Sequence, residues 1–129
     1  MTPSDRHYSE THEWVKIEGD IAIVGITDYA QESLGDITFI ELPETDHKVK
    51  QEEECGVIES VKAASDLNAP IDGDIVEVNE ELDGKPELAN EDPYEEGWLF
   101  KLANFNKEQY EELFDAAEYE STCEDDHGE

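Results

Sequence analysis

Basic side chains are scarce in this sequence. Eight lysines and arginines stand against 37 aspartates and glutamates among 129 residues, which gives a formal net charge of −29. Nucleic-acid binding requires Lys and Arg to neutralise phosphates, and an anionic membrane surface repels a chain of this charge. We therefore exclude nucleic acids and membranes as partners. Because molecules of this charge repel one another, we expect a monomer.

Cysteines are few, and long apolar runs and enzyme motifs are missing. The two cysteines form no Cys-x-x-Cys pair, no apolar run approaches the roughly 18 residues of a membrane span, and the N-terminus has no apolar signal core. These features indicate the reducing cytoplasm. The sequence has no phosphate-binding loop, no His-Glu-x-x-His, no nucleophile elbow and no EF-hand spacing. We therefore assign no catalytic and no metal-binding residues and do not expect an enzyme.

The apolar residues fall into short blocks with the alternation typical of β strands. Val15 and Ile17 precede a Gly19-Asp20 turn and Ile21 follows it, which predicts a β hairpin. Further blocks are separated by turn signals at spacings of about 8–12 residues, a pattern that favours a sandwich or barrel. These blocks begin near Ile37, Cys55, Leu67, Ile75 and Trp98.

Two helices complete a mostly β, α+β prediction. Thr27 and Gly35 are suitable cap residues for a short helix over 28–34. Asn106 can cap a C-terminal helix near 107–118, in which Tyr110, Leu113, Phe114 and Ala117 share one face. We expect a mobile segment over residues 1–10, a single domain over 11–119, and an acidic tail over 120–129 with nothing to pack against.

A weak internal repeat accompanies these elements. Gly35-Asp36-Ile37 and Gly73-Asp74-Ile75 each precede an acidic stretch and then a second glycine-led apolar segment. The repeat indicates two β units of similar length packed face to face with pseudo-twofold symmetry. The alternative is that a β protein has simply reused Gly-Asp turns.

Lys62 is the residue best placed for covalent modification. Two predicted strands approach each other through Val61-Lys62-Ala63-Ala64, which places this lysine near a hairpin tip between small or slim neighbours. An exposed lysine can lose its proton and become a nucleophile, so it is a usual target for acylation by another enzyme. On spacing alone, an ordinary solvated turn lysine remains the stronger interpretation.

The octapeptide Glu-Ser-Val-Lys-Ala-Ala-Ser-Asp over 59–66 resembles the lipoylation motif of glycine cleavage system H proteins. The flanking residues distinguish it from related carriers, because biotinyl carriers have methionines beside the lysine and lipoyl domains of 2-oxo acid dehydrogenases have aspartate before it. The resemblance extends in order over most of the chain. The matching segments are His12-Glu13-Trp14-Val15, residues 25–31, Leu34-Gly35-Asp36, Glu41-Leu42-Pro43, Pro70, Gly73, Val78-Asn79, Pro93-Tyr94 and Gly97-Trp98.

The resemblance implies a barrel-sandwich hybrid of two small antiparallel sheets with pseudo-twofold symmetry. It implies a lipoic acid cofactor held as a lipoyl amide on Lys62, attached by a lipoate ligase or lipoyl transferase. The implied recognition motif comprises Glu59, Ser60, Val61, Ala63, Ala64 and Asp66.

The resemblance also implies a non-catalytic carrier with three enzyme partners. It would take the aminomethyl group of glycine from a pyridoxal-phosphate glycine decarboxylase to a tetrahydrofolate-dependent aminomethyltransferase. Dihydrolipoyl dehydrogenase, with FAD, would then reoxidise it. In this family the loaded arm folds into a cleft on the carrier, and Glu13 is our candidate for contacting the amine there. The alternative is that Glu13 only belongs to a packed strand start.

Two other functions stay open at this point. An H-like relay protein would donate lipoyl groups to other carriers and would carry the same motif. An unmodified acidic interaction module would leave Lys62 bare, and Lys62→Arg would then be harmless. The acidic surface itself either gives solubility or steers the chain towards basic patches on partner enzymes.

Overall fold

The computed structural model describes residues 3–127 as strands in two antiparallel sheets with short helices. The strands are β1 (His7–Tyr8), β2 (Glu13–Glu18), β3 (Ile21–Ile26), β4 (Ile37–Glu41), β5 (Lys48–Val49), β6 (Glu54–Ser60), β7 (Ala64–Asn68), β8 (Gly73–Val78) and β9 (Phe100–Ala103). The helices are α1 (Asp28–Leu34), α2 (Glu81–Gly84), α3 (Leu88–Glu91), α4 (Lys107–Glu112) and α5 (Ala116–His127).

The two predicted antiparallel sheets are confirmed, and they differ in size. The large sheet has six strands in the order β1-β2-β3-β9-β8-β5, and the small sheet has three in the order β4-β6-β7. The predicted hairpin around the Gly19-Asp20 turn joins β2 to β3, with Glu18 opposite Ile21. Gly19 has a φ of 62°, which a glycine adopts without steric cost.

The main core lies between the two sheets. The large sheet contributes Val24 and Phe100, and the small sheet contributes Ile40, Ile58 and Leu67, all buried in one cluster. Full burial of such a side chain stabilises the fold by roughly 1.5–3 kcal/mol. A second cluster of Tyr8, Trp14 and Tyr119 packs where β1 and β2 meet the C-terminal helix.

Helix α1 has the bounds that the cap residues predict. Thr27 has extended backbone, and its side-chain oxygen accepts a hydrogen bond from the Ala30 amide at 3.1 Å. At the other end, Gly35 has a φ of 78° and donates its N–H to the carbonyl of Gln31. The short helix predicted over 28–34 is therefore confirmed.

The single C-terminal helix predicted over 107–118 is wrong, because the chain breaks there into α4 and α5. Phe114 forms a two-way backbone bridge with Tyr8, with N···O distances of 2.8 and 2.9 Å, and this pairing holds the connection extended. Helix α5 then starts with a reciprocal capping box. The Asp115 carboxylate accepts from the Glu118 amide at 2.8 Å, and the Glu118 carboxylate accepts from the Asp115 amide at 3.0 Å.

The segment over 1–10, which we expected to be mobile, includes residues that are buried against the rest of the chain. Tyr8 is fully buried, and Arg6 is 3% exposed. The Arg6 guanidinium lies 4.6 Å above the Trp14 ring and donates to the Tyr94 carbonyl at 2.7 Å. A cation seated on an aromatic ring and bonded to a carbonyl anchors the segment. Residues 1–2 lie outside the described residues.

The acidic tail predicted over 120–129 is helical instead, because α5 continues to His127. Its first turns are anchored by Tyr119, which is 2% exposed, and Cys123 packs against the same cluster. Residues 128–129 lie outside the described residues. None of the helices in the described chain is both long and apolar enough to cross a membrane.

The Tyr119 hydroxyl supplies a direct test of the C-terminal anchor. It shares hydrogen bonds with Thr27 Oγ1 and with His12 Nδ1, each at 2.7 Å. Tyr119→Phe removes one hydrogen-bond partner from the buried Thr27 hydroxyl and one from the His12 ring, so we expect the free energy of unfolding in urea to fall by about 1–2 kcal/mol. Tyr110→Phe is the matched control, because no hydrogen bond to the Tyr110 hydroxyl is found within residues 3–127. Equal losses in both variants would contradict this anchor.

Candidate functional site

Lys62 lies in the tight turn that connects β6 to β7, as the sequence predicts. The Ser60 amide donates to the Ala63 carbonyl at 2.8 Å. The Ser60 hydroxyl oxygen also accepts from the amides of Lys62 and Ala63, at 3.2 and 3.1 Å. One serine side chain therefore fixes the backbone of the turn. The lysine itself is exposed and extends from a rigid base.

The turn rests on the segment that follows α1. The Val61 amide donates to the Asp36 carbonyl at 3.0 Å, and Ser60 pairs with Ile37. The aliphatic stem of Lys62 passes over Gly35, where an added Cβ would lie 3.2 Å from the lysine Cε. Gly35 therefore has two roles, since it ends α1 at a positive φ and leaves room for the lysine stem.

Asn90 holds this supporting segment in place. Its side-chain oxygen accepts from the Ile37 amide at 2.9 Å. Its side-chain nitrogen donates to the Gly35 carbonyl and to Gln31 Oε1, both at 2.9 Å. Asn90 is not among the site residues that the sequence predicts. No local signal could have revealed it, because its partners lie 53–59 residues away in the chain.

The predicted recognition residues divide between the turn and one face of the small sheet. Ser60 and Ala63 form the turn, and Val61 beside Lys62 is 67% exposed. On the strands, Glu59 pairs with Ala64 and Asp66 pairs with Val57. Because side chains alternate along a strand and Ile58 and Leu67 point into the core, Glu59, Ala64 and Asp66 share the solvent face.

Glu13 lies at the other end of the same hairpin. It starts β2, is 2% exposed, and accepts hydrogen bonds from the hydroxyls of Ser9, at 2.7 Å, and Thr11. The backbone of Asn68, the last residue of β7, also hydrogen-bonds to this carboxyl. The structure therefore separates Glu13 from Lys62 by the length of β7, five residues at roughly 3.3 Å each.

Burial changes the acidity of Glu13. Removal of the carboxylate from water is the largest influence and raises the pKa of Glu13 to about 7, although hydrogen bonds from Thr11, Ser9 and the Asn68 backbone oppose it. A carboxyl with this pKa changes charge near neutral pH. Ser9 and Thr11 also line a surface cleft of about 230 Å³, together with Ala69 and Pro70.

The negative charge of Glu13 acts on the nearby Cys55 thiol. Burial, followed by the negative charges of Glu13, Glu53 and Glu54, raises the pKa of the Cys55 thiol to about 12. The thiolate is the reactive form, and it is essentially absent at neutral pH. Cys55 is therefore a structural thiol in β6.

The charge of Lys62 is not neutralised by a neighbouring carboxylate. Among the described residues Lys62 belongs to no ion pair, whereas other lysines do. Those paired lysines are Lys16, Lys48, Lys85 and Lys101. Within residues 3–127, no group of three or more His, Cys, Asp or Glu side chains is arranged to hold a metal ion. A cofactor attached through Lys62 fits this geometry.

Comparison with known proteins gives one consistent result. The glycine cleavage H-protein family model matches residues 6–126. Curated relatives from several bacteria carry the name glycine cleavage system H protein. The one from Carboxydothermus hydrogenoformans is 50% identical over 126 residues, which cover 98% of this chain and 97% of the relative. The one from Staphylococcus epidermidis is 55% identical over 117 residues, which cover 91% and 93%.

The solved structures agree with the sequence comparison. The crystal structure of a glycine cleavage system H protein from Mycobacterium marinum has a TM-score of 0.85 and 41% sequence identity to this chain. The match covers 94% of this chain and 98% of that one. The fold and the order of the elements are therefore similar along almost the full length of both chains.

The raised pKa of Glu13 predicts a pH-dependent stability. Between its ordinary pKa of 4.5 and about 7, the folded chain holds a proton that the unfolded chain releases. The free energy of unfolding therefore falls as pH rises through this window, by about 3 kcal/mol in total. Urea unfolding at pH 5 and pH 8 measures the fall, and we expect Glu13→Gln to remove most of it.

Glu44→Gln is the matched control for this measurement, because Glu44 is an exposed loop carboxylate. It should keep the pH dependence of the unchanged chain. If Glu13→Gln and the unchanged chain lose stability in parallel between pH 5 and pH 8, Glu13 is not the buried titrating group.

Proposed function

The chain belongs to the glycine cleavage H-protein family, the lipoyl carriers of the glycine cleavage system, and we propose that Lys62 is the residue that carries the lipoyl group. The observation that carries this proposal is the position of Lys62, exposed at the tip of a hairpin whose backbone is fixed from both sides. An attached arm there can swing into solvent without disturbing the core.

The residues around Lys62 suit it to acylation. The Ser60 hydroxyl and the Asp36 carbonyl hold the turn, so the turn loses little conformational entropy when an enzyme binds it. As the neutral amine, Lys62 Nζ forms the amide with the carbonyl carbon of an activated lipoyl acyl group. It gives up its proton as the leaving group departs with the bonding electrons.

We assign this chain a non-catalytic role, with the chemistry supplied by its cofactor and partners. The attached lipoyl group supplies a dithiolane that accepts the aminomethyl carbon on sulfur. The partners we propose are glycine decarboxylase, aminomethyltransferase and dihydrolipoyl dehydrogenase, with a lipoate ligase or lipoyl transferase for attachment. The net charge of −29 supports docking against basic patches on these enzymes. We place the carrier in the cytoplasm, where the thiols of Cys55 and Cys123 stay reduced.

Glu13 is our candidate for holding the cationic amine of the aminomethyl cargo. It is a buried carboxyl beside a cleft, and it lies one strand length from Lys62, in the direction in which the arm can fold back. Its pKa of about 7 means that a bound cation would favour the charged form. A buried ion pair of this kind, closed off from water, would slow hydrolysis of the cargo.

Loss of the Lys62 amine should abolish carrier function and leave the fold intact. Lys62→Arg keeps the positive charge, but a guanidinium is not acylated under these conditions. After incubation with lipoate, ATP and a lipoate ligase, we expect no glycine-dependent exchange of labelled bicarbonate with glycine decarboxylase. Lys107→Arg, at the exposed start of α4, should retain full exchange. Activity in Lys62→Arg equal to that of the unchanged chain would overturn the assignment.

The role of Glu13 predicts a change in cargo lifetime. With the lipoylated, aminomethyl-loaded chain at pH 8, Glu13→Gln should raise the rate of ammonia release by about tenfold, which corresponds to roughly 1.4 kcal/mol. The difference between the two chains should narrow as the pH falls and the Glu13 carboxyl takes up a proton. Equal hydrolysis rates at pH 8 would show that Glu13 does not contact the amine of the cargo.

A further inference from the structure

An apolar side chain is exposed on the small sheet close to Lys62. Within residues 3–127 the large hydrophobic side chains with high exposure are Phe39 at 49%, Val61 at 67% and Val76 at 45%. Two of the three, Phe39 and Val61, lie on the small sheet or its turn. Phe39 is directly opposite Glu59, which precedes Lys62 by three residues.

Phe39 belongs to a continuous surface that we call the outer face. The inward residues Ile40, Ile58 and Leu67 are buried, so the alternating neighbours on the three strands point to solvent. One row across the sheet contains Phe39, Glu59 and Ala64, and the next contains Glu41, Val57 and Asp66. The outer face is thus an aromatic ring and two small apolar side chains among three carboxylates.

An irregularity in the strand turns Phe39 outward. The pairing of β4 with β6 shifts between Ile37 and Phe39, with Thr38 as the extra residue. Without that shift, strict alternation from the buried Ile37 would direct the side chain at position 39 into the core. Bulges of this kind re-aim side chains and are common beside functional sites.

The large sheet shows that the fold does not require an aromatic residue after such a strand irregularity. The pairing of β8 with β9 has the same kind of shift between Ile75 and Glu77, with Val76 as the extra residue. The position that corresponds to Phe39 holds Glu77, whose carboxylate lies 3.7 Å from the Lys101 amine. The exposed phenylalanine on the small sheet therefore differs from the charged residue at the corresponding position of the large sheet, and packing alone does not explain it.

The length of the lysine side chain indicates which partner enzyme contacts the outer face. An enzyme that acylates Nζ must approach within one lysine side chain of the backbone, so its surface must contact the turn and the adjoining strands. Enzymes that act on the far end of an attached lipoyl group approach through the added length of the arm. The outer face lies next to the turn, and its carboxylates fit a basic partner surface with an apolar pocket.

We propose that the outer face is the surface bound by the lipoyl-attaching enzyme, with Phe39 as the apolar anchor. This inference rests on the proposed lipoylation of Lys62. An aromatic anchor placed in a partner pocket is the kind of residue that dominates binding energy in interfaces, while the surrounding carboxylates steer and orient.

The test is the steady-state lipoylation of the folded chain by a lipoate ligase with lipoate and ATP, followed by intact mass. Phe39→Thr removes the ring and keeps a good strand former, and we expect KM for the chain to rise about tenfold with kcat little changed. Phe39→Tyr should restore a KM near that of the unchanged chain. Val76→Thr is the matched control on the large sheet and should change neither constant.

Other outcomes separate the possible occupants of the face. Once each is fully lipoylated, Phe39→Thr and the unchanged chain should be reduced by dihydrolipoyl dehydrogenase at the same rate. A comparable loss there would assign the face to the enzymes that act on the arm and overturn the inference. A dimer seen by sedimentation in the unchanged chain and lost in Phe39→Thr would assign it to self-association and overturn it too.

The proposed function and this inference fail in different ways. If the unchanged chain accepts no lipoyl group, the assignment of Lys62 falls and the inference falls with it. If the unchanged chain is lipoylated on Lys62 and Phe39→Thr has the same KM, the inference alone is wrong.

Discussion

The position of the lysine turn depends on the side chain of one asparagine. Asn90 donates to Gly35 and Gln31 and accepts from Ile37, so three hydrogen bonds of 2.9 Å fix the segment after α1. The Asp36 carbonyl of that segment then receives the Val61 amide. An amide side chain whose donors and acceptor are all hydrogen-bonded favours one arrangement, because an alternative leaves some of these groups unpaired. The base from which Lys62 extends is thereby a single, defined structure.

The hairpin formed by β6 and β7 connects two different electrostatic environments. At its tip, Lys62 is exposed and belongs to no ion pair within the described residues. At its base, Glu13 is buried, and its pKa is raised to about 7 by loss of contact with water. One end is suited to accept an attached arm. The other end can respond to a cation near neutral pH, because a charge that approaches a buried carboxyl shifts its proton equilibrium.

Much of this fold could be predicted from local sequence signals. The β2–β3 hairpin follows from its glycine turn, α1 from its Thr27 and Gly35 caps, and the exposure of Lys62 from the strands on either side. The break at Phe114 and the anchoring of Arg6 could not be predicted, since they depend on Tyr8 and on the Tyr94 carbonyl, each about a hundred residues away in the chain. The contacts of Asn90 are equally non-local. The start of α5 is different, because the Asp115-x-x-Glu118 capping box was present in the sequence and was overlooked.

The central claim is that Lys62 is the single lipoyl attachment site of this carrier. The most direct measurement is a peptide map by mass spectrometry after the folded chain is incubated with lipoate, ATP and a lipoate ligase. The account predicts one lipoyl amide per chain, located on Lys62, with the other six lysines unmodified. A folded chain that stays unmodified, or one that carries the lipoyl group on another lysine such as Lys50, would contradict it.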